Sequence, residues 1–257
     1  AIKTFVLDKK YTSLYKISRD LGNFDTFFSL RSSIRSKFLK FLISAKKKYQ
    51  FDKNKYQNRH QVEKYNDFIN DSLLIDSVAG KLQIYGHNIV KSKKKILGIN
   101  PGASYGSAKR WYPQEFAKVA RELSVEYDII IFGGPGEVDV GNDIEKSLIE
   151  NRVNNYQNLV NNTTITGLID QISNLDLFIT GDSGSMHIAA AFQIPTVSIF
   201  GPTRGDETSQ WMNGKSLIVK KNLDCQPCMK RTCPLKHHDC MKLIKAVDVL
   251  KAINSIN

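Results

Sequence analysis

Leu177-Phe178-Ile179-Thr180-Gly181-Asp182-Ser183-Gly184-Ser185-Met186-His187-Ile188-Ala189-Ala190-Ala191-Phe192 decides the fold of this chain. An apolar, β-branched run ends at Thr180, glycines flank a polar turn, and a small-residue helix begins near Ser185. Strand, tight turn and helix in that order form the unit from which parallel sheets covered on both faces are built. Glycine allows the backbone to approach a ligand closely, and the helix that follows offers unpaired N–H groups and a positive dipole end, a combination suited to a diphosphate. The three alanines let that helix lie close to its sheet. A plainer reading is a strand-to-helix turn capped by Asp182 or Ser183, with His187 a half-buried histidine.

The same alternation extends outward in both directions. Strands are expected at Lys95–Ile99, Asp128–Phe132, Tyr156–Val160, Leu177–Thr180, Thr196–Phe200 and Ser216–Val219. Helices are expected at Pro113 to Leu123, Val138–Glu150, Thr166–Leu175, Ser185–Phe192 and Leu243–Ile256, with Pro113 at a first helical position where its missing N–H costs nothing. Six strands with intervening helices make a complete doubly wound domain over residues 94–257. The first 93 residues hold fewer strands: Phe24–Leu30 reads as a buried strand, Ser33–Ile43 as a basic helix, Tyr49–Phe51 as a second strand and Gln61–Ile69 as helical. Periodicity is then lost from 70 to 93, and the basic stretch Lys91–Lys95 reads as an interdomain linker.

Ligands of open α/β sheets bind beyond the carboxyl ends of the strands. After Ile99 the chain reads Asn100-Pro101-Gly102-Ala103-Ser104-Tyr105-Gly106-Ser107-Ala108-Lys109-Arg110-Trp111. Small and hydroxyl residues followed by two cations can wrap a phosphate, with Lys109 or Arg110 neutralising a leaving diphosphate. The spacing is not that of a P-loop. Phe132-Gly133-Gly134-Pro135-Gly136-Glu137 lacks the third glycine of the dinucleotide fingerprint, since Asp139 stands there, so NAD binding is rejected. Glu137 suits a ribose or sugar hydroxyl, or simply the start of a helix.

Together these motifs resemble the lipopolysaccharide heptosyltransferases of glycosyltransferase family 9. The resemblance rests on Asn100-Pro101-Gly102-Ala103-Ser104, Lys109-Arg110-Trp111, the Phe132-Gly133-Gly134 turn with Glu137, Asp182-Ser183-Gly184 with His187 and the alanines, and Phe200-Gly201-Pro202-Thr203. It runs from about residue 24 to the end and is strongest from 96 to 204; the Lys109-Arg110-Trp111 version is nearer to the second heptosyltransferase of the core than to the first. It implies a GT-B architecture of two Rossmann-like doubly wound domains, the N-terminal one incomplete in this chain. It also implies metal-free, inverting transfer of L-glycero-D-manno-heptose from ADP-heptose to the lipopolysaccharide inner core. By the same resemblance Ser104 and Lys109 hold the diphosphate, and Lys109 stabilises the leaving group. Glu137 contacts the ribose, Thr163 to Ile165 line the adenine pocket, Asp182 binds heptose hydroxyls, and Ser183, Gly184 and His187 surround the phosphates and sugar. Tyr105 replaces a small hydroxyl residue of some relatives. The family's general base is an aspartate in a Leu-Gly-Asp-like turn after the first N-terminal strand; no such turn is present, so the base is expected upstream of Ala1. Phe24 to Ser36 matches the element facing the acceptor, where Arg31, Arg35 and Lys37 suit phosphates or Kdo carboxylates, or else a solvated helix face. His60 and Tyr65 echo another family element, with core packing expected.

With Lys+Arg 37 against Asp+Glu 25, the formal net charge of +12 favours anionic partners, although a lysine-rich solubilising surface would read the same way. No apolar run nears the ~18 residues that span a bilayer, and the short apolar stretch Ile2–Leu7 is broken by Lys3 and does not read as a signal peptide. A protein at the cytoplasmic side, peripheral at the inner face of the inner membrane, is expected. Cys225, Cys228, Cys233 and Cys240 are spaced C-x2-C-x4-C-x6-C, with His237 and His238 among them. Four soft ligands this close suit zinc or iron, but the spacing is not that of a common zinc ribbon; disulfides and reduced structural thiols stand as alternatives, and neither metal nor cofactor is expected. Competing functions are a relative using another nucleotide sugar, a non-catalytic nucleotide-sugar sensor, and a basic nucleic-acid binder built on the cysteines. The last would show steep salt dependence, but the strands lack interleaved aromatic and basic residues, so nucleic acid is not an expected partner.

Overall fold

The computed structural model describes residues 4–8, 10–87 and 92–256. Residue 91, where the expected linker stretch begins, and residues 2 and 3 of the first apolar stretch lie outside the described residues. Contacts divide the chain into two compact units between Ala79 and Gly80, ahead of the expected boundary at 93. Gly80 joins the second unit, where its carbonyl accepts a hydrogen bond from the Trp211 indole (2.9 Å).

The first unit contains α1 (Tyr11–Asp20), β1 (Asn23–Ser29), α2 (Ile34–Leu42), β2 (Ser44–Gln50) and α3 (Gln61–Leu73). β1 and β2 pair in parallel, so α2 is a β-α-β crossover. The strand expected to be buried is half open, with Phe24 38% exposed. A small aromatic core gathers Phe51, Tyr56 and Phe68, with Phe28, Tyr49 and Tyr65 packed against it. The core role expected of Tyr65 therefore holds. His60 is buried but acts as the cap of α3: its Nδ1 accepts from Val62 N (3.2 Å) while Glu63 accepts from His60 N (3.0 Å).

The second unit runs β3 (Lys95–Asn100), α4 (Pro113–Leu123), β4 (Tyr127–Ile131), α5 (Val138–Glu150), β5 (Tyr156–Asn158), α6 (Ile165–Ser173), β6 (Leu177–Gly181), α7 (Gly184–Ala191), β7 (Thr196–Ile199), α8 (Gly205–Thr208), β8 (Ser216–Val219), α9 (Asp239–Lys242) and α10 (Ala246–Ile256). Its six strands are all parallel in the order β5-β4-β3-β6-β7-β8, the doubly wound arrangement expected from the strand-helix alternation. Successive residues of a strand face opposite sides, and the core divides accordingly. Leu97, Ile99, Ile129, Ile131, Leu177 and Ile179 join one cluster with residues of α4, α5 and α10; Ile130, Phe132 and Phe178 join the other with Ile172 and Ala189. Gly98 in β3 is required by this second cluster, because a Cβ there would stand 2.4 Å from Leu175 Cδ1.

Three boundaries depart from expectation, two of them where a side chain takes up a terminal amide. β5 stops at Asn158, whose Oδ1 turns back to accept Val160 N (3.2 Å). α10 starts at Ala246 rather than Leu243, because Asp248 accepts Lys245 N (2.9 Å) and Glu115 accepts Ala246 N (2.7 Å). β2 begins earlier than Tyr49, with its lysines Lys46 and Lys47 on exposed positions.

Candidate functional site

β3 and β6 lie side by side, yet the chain leaves them in opposite directions along the sheet, toward β4 and toward β7. A crevice opens beyond such a switch point. The two loops that border it are those quoted first, and they are bolted together by a residue not nominated from sequence. Asn100, at the end of β3 and buried, donates from Nδ2 to Ser185 Oγ in the first turn of α7 (2.6 Å) and accepts Gly102 N on Oδ1 (3.2 Å).

From this anchor the loop passes through one tight helical turn, Ser107–Lys109, that delivers the Lys109 ammonium into the crevice. Lys109 Nζ lies 2.5 Å from Asp182 Oδ2 and 3.3 Å from Asp182 O. Both side chains are largely buried, at 11% and 9% exposure. Thr203, in the turn after β7, donates its hydroxyl to the same Asp182 Oδ2 (2.7 Å). Lys109 Nζ also stands 4.8 Å from the centre of the Tyr105 ring. Ser183 occupies the N-cap position of α7 but does not cap it: its hydroxyl is shared with Thr180 (3.1 Å) and Ser185 (2.7 Å). The first amides of α7 thus take no side-chain cap, which preserves the positive end of that helix for an anion.

A cavity of about 440 Å³ occupies this place, within the range of small-molecule sites. Ser104, Lys109, Asp182, Ser183, Gly184 and His187 all line it, although they come from two segments more than seventy residues apart in sequence. Tyr105, Thr203, Arg204, Glu207, Thr208 and Met229 complete the wall. Thr203 carried no separate role in the sequence reading, because its meaning depends on β7 ending beside β6.

Glu137 and Thr163 are not among the lining residues. Glu137 is buried between two glycine turns, accepting Gly134 N (2.6 Å) and lying against Gly102, where a Cβ would come within 1.9 Å of its carboxyl carbon. It therefore clamps the loops after β3 and β4. Thr163 is half-buried ahead of α6, whose cap is the neighbouring Thr164, accepting Gly167 N (3.1 Å). Arg110 turns away from the cavity to donate to Gly136 O (3.1 Å). Arg31 and Arg35 belong to the first unit, where the Arg35 guanidinium donates to Asp8 O. A larger open hollow of about 990 Å³ runs along α5 and edge strand β5, lined by residues such as Asn142, Glu145 and Asn158; it lies away from the switch point.

The cysteines are all free thiols in this structure. All four border one void of about 20 Å³, with Pro202 and His237. Burial, together with the neighbouring Cys233, Cys228 and Cys225, pushes the Cys240 thiol up to about 11. Among the described residues no three His, Cys, Asp or Glu side chains converge as a metal site. The loop that carries the cysteines braces the crevice instead. Tyr105 Oη donates to Met229 O (2.8 Å), Ala108 N to Arg231 O (3.0 Å), and His238 Nε2 lies 3.0 Å from Ala108 O.

A Rossmann-type sheet with an ion pair and an uncapped helix end at its switch point makes an α/β unit whose crevice suits an anionic ligand. Comparison with known proteins narrows the class. The model of glycosyltransferase family 9 (heptosyltransferase) matches residues 76–238. Lipooligosaccharide heptosyltransferase 2 of Campylobacter jejuni is 44% identical over 254 residues, covering 96% of this chain and 79% of the relative. The family 9 glycosyl transferase from Veillonella parvula shares the fold with a TM-score of 0.77 at 19% identity, over 98% of this chain and 81% of its own. E. coli ADP-heptose lps heptosyltransferase II does so with a TM-score of 0.74 at 20% identity, over 95% and 79%. The chain belongs to glycosyltransferase family 9 and is a glycosyltransferase of the heptosyltransferase group. Its basic composition and cysteines accordingly need no nucleic-acid-binding role.

Proposed function

We propose that this chain transfers L-glycero-D-manno-heptose from ADP-heptose to the inner core of lipopolysaccharide in a Gram-negative cell, with inversion at the anomeric carbon. The observation that carries this reading is the meeting of Lys109, the Asp182 carboxylate and the first turn of α7 in one cavity, in a family whose relatives are named heptosyltransferases. In the proposed mechanism the donor's diphosphate lies against the α7 amides, Ser104 and Lys109. The ammonium turns from Asp182 toward the diphosphate and stabilises the charge that grows on it as the glycosidic bond breaks, the step at which fixed charges count most. Asp182, held by Thr203, is then free to accept hydrogen bonds from heptose hydroxyls. Ser183, Gly184 and His187 bound the space for phosphate and sugar. Glu137 and Thr163 are assigned to the nucleoside end of the donor.

Arg31 and Arg35 are assigned to acceptor phosphates or carboxylates, for which guanidinium forks are matched. Arg35 keeps a buried Nε–H with no hydrogen-bond partner among the described residues. Among those residues no helix is long and apolar enough to cross a membrane. The proposed place of action is peripheral, on the cytoplasmic face of the inner membrane, where a net charge of +12 favours an anionic glycolipid.

Ligand-dependent melting tests the assignment. ADP-heptose at about one hundred times its Kd should stabilise the second unit by about 2.7 kcal/mol. Asp182→Asn should keep affinity for ADP and lose the additional affinity that the heptose confers. Equal stabilisation by a UDP-sugar would assign the chain to a different donor.

A further inference from the structure

The charges around the cavity leave the donor's diphosphate underpaired. Two permanently cationic side chains line it, and each already faces a carboxylate. Lys109 is paired with Asp182 at 2.5 Å, and Arg204 with Glu207 at 2.6 Å. A diphosphate brings about two negative charges into this space, whereas a helix end supplies only about half a positive charge. If Lys109 turns to the phosphates, one cation and one half-charge face the whole group. A further cation is needed at the rim.

We infer that Arg231 supplies it, as a donor-binding residue that pairs with the diphosphate beside Lys109. Its guanidinium carbon lies 5.3 Å from the centre of the Tyr105 ring, the ring that Lys109 Nζ approaches at 4.8 Å. Sharing one ring keeps the two cations within about 10 Å of each other. Tyr105 itself lines the cavity, and Arg231, which is not a lining residue, approaches that same ring. The side chain is exposed, and among the described residues no carboxylate pairs with it. Its backbone, by contrast, is fixed. Arg231 O accepts Ala108 N at 3.0 Å, one residue from Lys109, and packs so tightly on Gly106 that a Cβ there would stand 2.3 Å from it. The cysteine-bearing loop thus anchors an arginine to the turn that carries the site lysine and leaves its planar fork unspent. Such a fork pairs with a phosphate in two parallel hydrogen bonds.

The inference rests on the reading of the cavity as a nucleotide-diphosphate site, and one titration separates the two. ADP and adenosine are titrated into the whole chain by calorimetry, into Arg231→Gln, into Arg231→Lys and into Lys146→Gln, a control that removes an exposed charge on α5. Arg231→Gln should bind ADP about tenfold more weakly, the factor expected of one charge-assisted contact, and Arg231→Lys should recover part of the loss. Adenosine affinity should be unchanged throughout. Because the brace uses main-chain atoms, Arg231→Gln should melt with the unmodified chain. ADP affinity equal in Arg231→Gln and the unmodified chain, or lowered equally by Lys146→Gln, overturns the role of Arg231 alone. An unmodified chain that does not bind ADP overturns the nucleotide-site reading and this inference with it.

Discussion

Replacing Lys109 by methionine should destabilise the protein before any ligand is considered. At 2.5 Å and an effective dielectric constant of about 20, the gross attraction between Lys109 and Asp182 is roughly 7 kcal/mol, most of it offset by the desolvation of both ions. Removing one partner of a buried pair typically costs about 3–5 kcal/mol because the other charge is stranded. Here the Thr203 hydroxyl continues to hold Asp182 Oδ2, which lowers the expectation to about 2–3 kcal/mol. Asp182→Asn should cost about 2 kcal/mol by stranding the ammonium, whereas the double variant, which strands neither, should cost much less than the two singles together. A coupling energy of about 2 kcal/mol follows. In a unit of this size each kcal/mol moves the melting temperature by about 2–4 °C, so the singles should melt about 5–10 °C lower and the double no lower than Lys109→Met alone. Trp111 and Trp211 both lie in the second unit and report its unfolding by fluorescence without signal from the first. Losses that add within about 0.5 kcal/mol would refute the buried pair as an energetic unit.

Gly102→Ala should displace Glu137, since the new methyl would lie 1.9–2.3 Å from its carboxylate atoms. Overpacking and the lost Gly134 N–H bond together predict about 2–4 kcal/mol of destabilisation in urea melts, and adding Glu137→Ala should restore more than half of it by vacating the space. Glu115 predicts a pH dependence: burial pushes its carboxyl up, but the Lys118 ammonium and the Ala246 N–H outweigh burial and hold it below the ordinary 4.5. A lowered folded value gives stability that is complete above 4.5 and lost as the pH falls through the lower folded value. Glu115→Gln should therefore flatten the fall of melting temperature on the acid side, and an unchanged acid slope would remove Glu115 from that role.

The second unit was legible wherever neighbours in sequence set the structure. Ile129 to Ile131 and Leu177 to Ile179 are apolar at every position because both faces of the sheet are covered, and such runs read as buried strands. α4 and α5 fall on the expected bounds, α4 with Pro113 in its first turn. What was not legible depends on partners far away in the chain. The start of α10 is set by Glu115, and the pose of Asp182 by Thr203. Asn100 was visible in a motif, but its role required Ser185 to be beside it. Asp182 and Ser183 suggested a helix cap, yet Asp182 is engaged by Lys109 and Ser183 by neighbouring hydroxyls, so neither serves as one. In the first unit α1 was not anticipated. It buries only Leu14 and Ser18.

A crystal structure of the chain with ADP-heptose tests the central claim most directly. The diphosphate should lie between Lys109 Nζ and the first turn of α7, with the Asp182 carboxylate on the heptose. A diphosphate seated instead in the hollow along α5 and β5, with the Lys109–Asp182 pair undisturbed, would contradict it.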